Sequence, residues 1–306
     1  MVNVEKNINK PECIVCKTKA DFFLIKDDFN FYKCSQCGLV FVYPQPSKET
    51  IANDIYSEKS GYQGNKSKTL VGTIPTLKQE KVLNWLSKQK KGKLLDIGCS
   101  NGEFMWLVKS LGFDVVGVEL NKRTADIARV NGLNVFSGFL EEANFPPASF
   151  DYIYMGDLIE HVSDPVALVK EVRKLLQPNG QVVIVTPNLD CFWSKSTFLL
   201  HKWFGIPWSS LTPPHHLFQF STGNLNLLLS QEGFGLLLNM YDRPPRLLYE
   251  LGSLHLLKQV KIKKTIFSLV FMIISFILYV LLYLFDYILN PLLSKNNSVI
   301  AMYKVI

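Results

Sequence analysis

The dinucleotide fingerprint G-x-G-x-x-G is missing from the turn best placed to carry it. After the apolar run Leu94–Ile97, the chain has Ser100 and Glu103 where that fingerprint needs glycines. A carboxylate opening the next helix would also repel a pyrophosphate at the helix N-terminus, so a dinucleotide is disfavoured there. The amino-terminal MVNVEKNINKPEC has no apolar run, so no cleavable signal peptide is expected and a cytoplasmic location is. A sustained basic–aromatic stripe is missing too. The net charge of +7 gathers in short runs such as Lys88–Lys91 and Lys258–Lys264, which makes nucleic acid an unlikely partner. Internal repeats and low-complexity tracts are absent. Cysteine is scarce, at six in 306 residues.

With 48% hydrophobic and 19% charged residues, the chain is a folded protein with room for one large domain and a small module. Four of its cysteines form the pairs Cys13-x-x-Cys16 and Cys34-x-x-Cys37. Two such pairs at this spacing point to a structural, tetrahedral Zn²⁺ site of the ribbon type, with Gly38 suited to a position of positive φ. Two disulfides would instead require an oxidising compartment, which nothing else suggests. Cys99 and Cys191 lie too far away to serve as ligands.

The zinc module occupies residues 1–46, with β segments around Phe22–Ile25 and Leu39–Tyr43. A connector with a short helical stretch, 47–76, passes Gly61 and Gly64. A helix over Leu77–Gln89 then opens the main domain, 77–257. Strands are expected at Leu94–Ile97, Asp114–Val118, Asn134–Phe136, Phe150–Met155 and Gln181–Val185. Helices are expected near Gly102–Leu111, Arg123–Asn131 and Pro165–Leu176. This alternation predicts an α/β, doubly wound Rossmann-like sheet with helices on both faces. Pro178-Asn-Gly180 reads as a turn just ahead of the fifth strand. The first strand runs into a Gly-bearing turn, and the second ends in the carboxylate of Glu119, one βαβ unit after Asp96. That arrangement suits a nucleoside held through its ribose hydroxyls, with no phosphate at the turn.

The run Lys93-Leu-Leu-Asp-Ile-Gly-Cys-Ser-Asn-Gly102 resembles motif I, D-x-G-x-G-x-G, of the class I S-adenosylmethionine (SAM)-dependent methyltransferases, with Ser100 replacing the middle glycine. Residues 149–188 are similar, nearly position by position, to the middle of ubiquinone-biosynthesis-like methyltransferases. Their "FD" strand, "EHV" turn, "DP" helix start and "LxPGG" turn all have counterparts here, and the likeness covers about residues 75–240. The module ending in CGLVFVYPQP looks like one attached to some bacterial methyltransferases, sugar-modifying ones included. The resemblance implies a seven-stranded sheet with an antiparallel last strand, residues 295–306.

The resemblance also implies roles. Asp96, Gly98, Cys99, Ser100 and Gly102 would cradle the methionine end of SAM, and Glu119 would take both ribose hydroxyls, with Leu120 next to it among the cofactor-binding residues. Phe139 and Leu140 would lie against the adenine, where many relatives carry an aspartate in place of Phe139. Asp157 and Leu158 would line the reacting methyl. His161, His216 and Glu160 are the candidates for removing an acceptor proton, although a histidine at such a turn can equally serve only to hold a loop. An Asp157-x-x-Glu160-His161 cluster could hold a divalent cation such as Mg²⁺.

Residues 265–285 are uncharged and long enough to span a bilayer, with Lys258, Lys261, Lys263 and Lys264 before them. A last strand that rejoins the sheet argues against a single crossing. Residues 258–294 are therefore expected to form an interfacial or re-entrant helical hairpin inserted between the sixth and seventh strands, broken near Asp286 or Pro291 and meeting the membrane through residues 265–290. A true span and a buried protein interface are the alternatives. The expectation is a methyltransferase, peripheral or monotopic at the cytoplasmic membrane, acting on a small-molecule, lipid-linked or glycan acceptor. Its rivals are a non-catalytic SAM-binding scaffold and an RNA- or protein-modifying methyltransferase.

Overall fold

A computed structural model describes residues 10–55, 69–204, 208, 210–240, 266–293 and 298–306. The connector around Gly61 and Gly64, the Lys258–Lys264 run and the domain boundaries expected at 257/258 and 294/295 lie outside the described residues.

Seven strands form the main sheet: β4 (Lys93–Ile97), β5 (Asp114–Glu119), β6 (Asn134–Ser137), β7 (Phe150–Gly156), β8 (Leu176–Pro187), β10 (Phe234–Met240) and β11 (Ser298–Val305). Their order is β10-β11-β8-β7-β4-β5-β6. The first five run parallel, and β11 sits antiparallel between β8 and β10. Alternate residues feed cores on opposite faces. Leu95, Ile97, Ile153, Met155, Val182 and Ile184 enter one core, while Leu94, Tyr152, Tyr154, Val183 and Val185 enter the other. Burial on both faces is why these strands are almost continuously apolar.

The helices start where short polar side chains can satisfy their first N–H groups. Helix α2 (Leu77–Leu86) has a Thr76/Gln79 capping box. Asn121 caps α4 (Lys122–Val130), Asp164 caps α5 (Pro165–Leu175) with Pro165 in its first turn, and Ser221 caps α7 (Thr222–Gln231). Helix α3 (Glu103–Ser110) differs in beginning at Gly102, whose φ is 85°. A Cβ there would fall 2.3 Å from Leu133 Cδ1 and 3.0 Å from Ala128 Cβ. Gly102→Ala is therefore expected to cost about 1–3 kcal/mol in urea unfolding, from αL strain and overpacking together. An unchanged unfolding midpoint would contradict this close packing of α3 on α4.

The amino-terminal module is a sheet of β1 (Ala20–Lys26), β2 (Phe29–Cys34) and β3 (Val40–Val42), followed by a short turn of helix, α1 (Lys48–Thr50). The sequence pattern suggested two β segments here; the middle strand β2 is additional. A fourth strand, β9 (Phe218–Gln219), joins this sheet from far along the chain, pairing antiparallel with β3.

Two expectations need correction. Pro178-Asn-Gly180 does not precede a strand but lies within the twelve-residue β8, where the β7–β8 register shifts and Asn179 takes φ 65°. A bulge absorbs the turn-forming residues without ending the pairing. Helix α8 (Ile266–Leu293) is one continuous helix through Asp286 and Pro291, not broken at either. It lies in chain order between β10 and β11 and packs on α6 (Phe192–Phe204). Trp193 meets Tyr279 and Tyr283 edge-on at 5.6 and 6.0 Å, and Phe192 meets Phe285. Tyr279 and Asp286 are fully buried, whereas Ile273, Phe276, Ile277 and Leu281 are about half exposed. Among the described residues, no helix is long and apolar enough to cross a membrane.

Candidate functional site

The turn after β4 is wound from left-handed residues: Gly98 at φ 78°, Ser100 at 51° and Gly102 at 85°. Ser100 thus adopts a left-handed conformation, a strained one for a side-chain-bearing residue. The turn is held by Glu119, whose Oε2 accepts from Ser100 N–H at 2.8 Å and whose Oε1 accepts from Asn121 N–H at 2.7 Å. Gly98 and Cys99 donate to the Val118 carbonyl at 2.8 and 3.1 Å. Burial raises the Glu119 pKa, and the Asn121 and Ser100 N–H groups oppose that rise. Each carboxylate oxygen retains a lone pair beyond its backbone bond, so the group can still accept from a vicinal diol.

Asp96, Gly98, Cys99, Ser100 and Asp157 line a cavity of about 190 Å³ at the carboxyl ends of β4 and β7. Asp96 is 2% exposed, and its Oδ2 has no hydrogen-bond partner. Burial, with Glu119 nearby, pushes its pKa well above the usual carboxylate range. Such an orphaned oxygen is costly unless a cation or donor answers it. The other expected cofactor residues lie outside the lining. Gly102 and Glu119 shape the turn from behind, and Leu158 packs against Gly98, 3.1 Å from where a Cβ would stand. Leu120 and Leu140 pack into the core, while Phe139 lies under Lys48 Nζ at 5.5 Å.

Several lining residues had no signal in the sequence reading: Thr76, Lys78, Gln79, Asn101, Phe104 and Tyr154. The Thr76-x-x-Gln79 spacing is a legible capping box, but nothing local indicates that this helix start closes over the cavity. Lys78 pairs with Asp157 at 3.0 Å across its edge. Phe104 stacks on Tyr154 with ring centroids 3.9 Å apart.

Behind β7 and β8, the chain brings Glu160, His161 and His216 together, with donor atoms within 4.8 Å of one another. Asp157 is not part of this group, so the acidic-x-x-Glu-His cluster is not assembled as the sequence suggested; Asp157 turns to Lys78 instead. Glu160 is 1% exposed. Its Oε2 accepts from Thr186 Oγ1 at 2.8 Å, and its Oε1 has no hydrogen-bond partner and lies 3.7 Å from His161 Nε2. Burial and the Asp157 charge push its pKa up to about 8. Burial drives His161 down to about 4 and His216 to about 3, the latter also through repulsion from His161. His161 Nδ1 lies 2.8 Å from the His215 carbonyl, which assigns the proton to Nδ1 and makes Nε2 the basic atom. The His216 ring stands edge-on to His161, and its Nδ1 has no hydrogen-bond partner.

All six cysteines are free thiols, with no two sulfurs at disulfide bonding distance. Cys13 and Cys37 sulfurs lie 3.5 Å apart, those of Cys16 and Cys34 3.3 Å, and all four cluster within 4.8 Å. Four thiolates about 2.3 Å from one Zn²⁺ would be about 3.8 Å apart, so the set suits a tetrahedral ion with modest expansion. Lys17 and Gly38 take positive φ at the two knuckles. The Cys37 thiol beside Cys13 draws the Cys13 pKa down to about 5, and the same contact raises that of Cys37.

Residues 74–238 match the family described as "Methyltransferase domain". Over 117 residues, 35% of this chain, the sequence is 29% identical to a ubiquinone biosynthesis O-methyltransferase of Aliivibrio fischeri, covering 50% of that protein. Over 105 residues, 31% of this chain, it is 34% identical to the Idiomarina loihiensis protein of the same name, covering 42% of it. The chain thus spans about half the length of these curated relatives or less. A crystal structure of a SAM-dependent methyltransferase from Archaeoglobus fulgidus is similar at 18% identity and a TM-score of 0.47, over 74% of this chain and 94% of that one. With the family match extending over more than half of its length, the chain belongs to the class I SAM-dependent methyltransferases.

Proposed function

We propose that this protein transfers the methyl group of SAM to a small-molecule acceptor, lipid-linked or glycan in character, at the cytoplasmic face of a membrane. The observation that carries the reading is the buried, unanswered Asp96 carboxylate inside a cavity whose rim is the Glu119-braced turn. The residues fit SAM. Asp96 offers its spare oxygen to the cationic methionine end, Glu119 accepts from the ribose hydroxyls, and Phe139 offers apolar surface to the adenine, while Leu140 stays packed in the core. When bound, SAM supplies a methyl already activated by its sulfonium. The protein aligns the acceptor, excludes water and takes up the acceptor's proton, with His161 Nε2 as the receiving atom. Calorimetry with SAM and with its demethylated product (SAH), followed by tritiated-methyl transfer into the small-molecule, lipid, glycan, RNA and protein pools of a native lysate, tests this. Absence of SAM binding, or label confined to RNA or protein, would refute it.

A Mg²⁺-assisted route is not supported by the donor set. Mg²⁺ takes oxygen ligands in an octahedron, whereas this cluster offers two imidazoles and one carboxylate.

The membrane part of the proposal rests on the half-exposed apolar side chains of α8, with exposed Leu199 and Trp203 on α6 beside it, and on the lysines that precede α8 in the sequence. The native protein is expected to sediment with membranes. Replacing Ile273, Phe276 and Ile277 by serine is expected to release most of it without loss of SAM binding. Full recovery of the parent protein in a detergent-free soluble fraction would remove the membrane claim.

A further inference from the structure

One short strand joins the Cys₄ ribbon to the histidine cluster. On one side, β9 pairs with β3, matching Val40 to Gln219 and Phe41 to Phe218, and Val42 N–H donates to the Leu217 carbonyl at 2.9 Å. On the other side, Leu217 and Phe218 donate their own N–H groups to the Glu160 carbonyl at 2.8 and 3.1 Å. The residues just before β9 complete the link, because the His215 carbonyl meets His161 Nδ1 and His216 faces the His161 ring. Side chains reinforce it, with Phe41 stacked on Phe218 and Phe218 on Phe220.

The ribbon end of this link depends on the cysteine knuckles. Cys34 N–H donates to the Leu39 carbonyl and Gly38 N–H to the Cys34 carbonyl, so the Cys34–Cys37 turn sets where β3 begins. The buried Asn224 amide reaches the Cys37 carbonyl at 3.5 Å, touching the same knuckle from α7. The module has only three short strands of its own and packs Val15, Tyr32, Cys34, Leu39 and Phe41 into the main core, so a metal held at its knuckles adds to the folding free energy of that shared face. A two-residue strand such as β9 depends on its neighbours for its position, here β3 on one side and the Glu160 carbonyl on the other. By contrast, no residue lining the cofactor cavity comes from the ribbon.

We infer that the metal-loaded ribbon is a positioning element for the acceptor-side cluster. Through Phe41, β3 and β9 it holds His161, His216 and Glu160 in register, and loss of its metal disables proton transfer while SAM binding persists. The inference rests on the proposed base role of His161 only for its catalytic consequence; the structural coupling stands apart from that role.

The test uses full-length protein labelled with ¹⁵N-histidine, in its zinc-loaded form, after zinc removal, and as zinc-loaded Phe41→Ala, which keeps all four cysteines. Ring signals of His161 and His216, which are faced by Glu160, Asp157, Lys78 and His215, are followed against pH. SAH affinity is measured on the same samples. In the loaded protein both rings are expected to stay neutral to about pH 5. In the stripped protein and in Phe41→Ala they are expected to titrate near the free value of about 6.5, with SAH affinity within about threefold. Phe41→Tyr is expected to restore the loaded pattern. Ring titrations that ignore both zinc loss and Phe41→Ala would overturn the coupling, as would SAH affinity falling in step with them, which would make the ribbon a general prop of the domain. Failure of the loaded protein to bind SAH would instead sink the methyltransferase reading, with the histidine response still deciding the coupling.

Discussion

Replacing Glu119 by alanine is expected to weaken SAM binding by about a hundredfold or more. Hydrogen bonds to a charged group contribute about 1.5–3 kcal/mol each, and two ribose hydroxyls would lose such bonds together. At about 1.4 kcal/mol per tenfold, even the lower figure gives two orders of magnitude. The same substitution leaves the Ser100 and Asn121 N–H groups without their acceptor, so the turn that approaches the cofactor also loses its brace. Glu119→Gln separates the two effects. It keeps an oxygen for one backbone N–H but cannot accept from both hydroxyls, and an intermediate loss is expected. Calorimetry on both variants, with circular dichroism to confirm folding, checks this. An alanine variant that binds as tightly as the parent would remove the ribose assignment.

His161→Ala is expected to lower methyl transfer with SAM affinity retained; a positioned proton acceptor contributes about 10²–10⁴, and a His161 held at about 4, below the working pH, puts the loss at the lower end, about 10². His161 is the suitable member of the cluster because its side chain is 19% exposed while that of Glu160 is 1% exposed, so an acceptor can reach it. Glu160 acts from behind, and its effect is legible in pH. Its pKa of about 8 lies above the ordinary 4.5, so the folded state holds a proton that the unfolded state releases. Stability from this group is full below pH 4.5 and is lost as pH rises towards 8. The two histidines act in the opposite direction. Held at about 4 and 3, they cost stability as pH falls below 6.5, where the unfolded chain takes up protons first. Glu160→Gln should therefore raise the melting temperature relative to the parent at pH 8.5 and not at pH 4.5. An equal difference at both would show that Glu160 is not held protonated.

Much of the sheet was legible because its strands are short, apolar and separated by capped helices. Leu94–Ile97 and Asp114–Val118 each fall within one residue of the observed strands, since Asp164-Pro165 and the glycine turns mark where helices begin and end. Pro178-Asn-Gly180 misled because turn chemistry and bulge chemistry use the same residues, and only the partner strand decides which occurs. Asp286 and Pro291 misled for a similar reason. A helix carries Asp286 when a neighbour such as α6 buries its face, and the sequence of α8 does not contain its neighbour.

The chain's own residue order determined the strand–turn–helix that can cradle a nucleoside, the acidic end of β5 and the two cysteine knuckles. Each is local, set by backbone angles and spacing within a few residues. Only the tertiary structure decided that His216 rather than Asp157 joins Glu160 and His161, that Lys78 closes on Asp157, and that the ribbon and the cluster share one strand. Those contacts bridge residues far apart in the chain. Their existence depends on where the sheet edge and the ribbon come to rest, which is a property of packing and not of any local pattern.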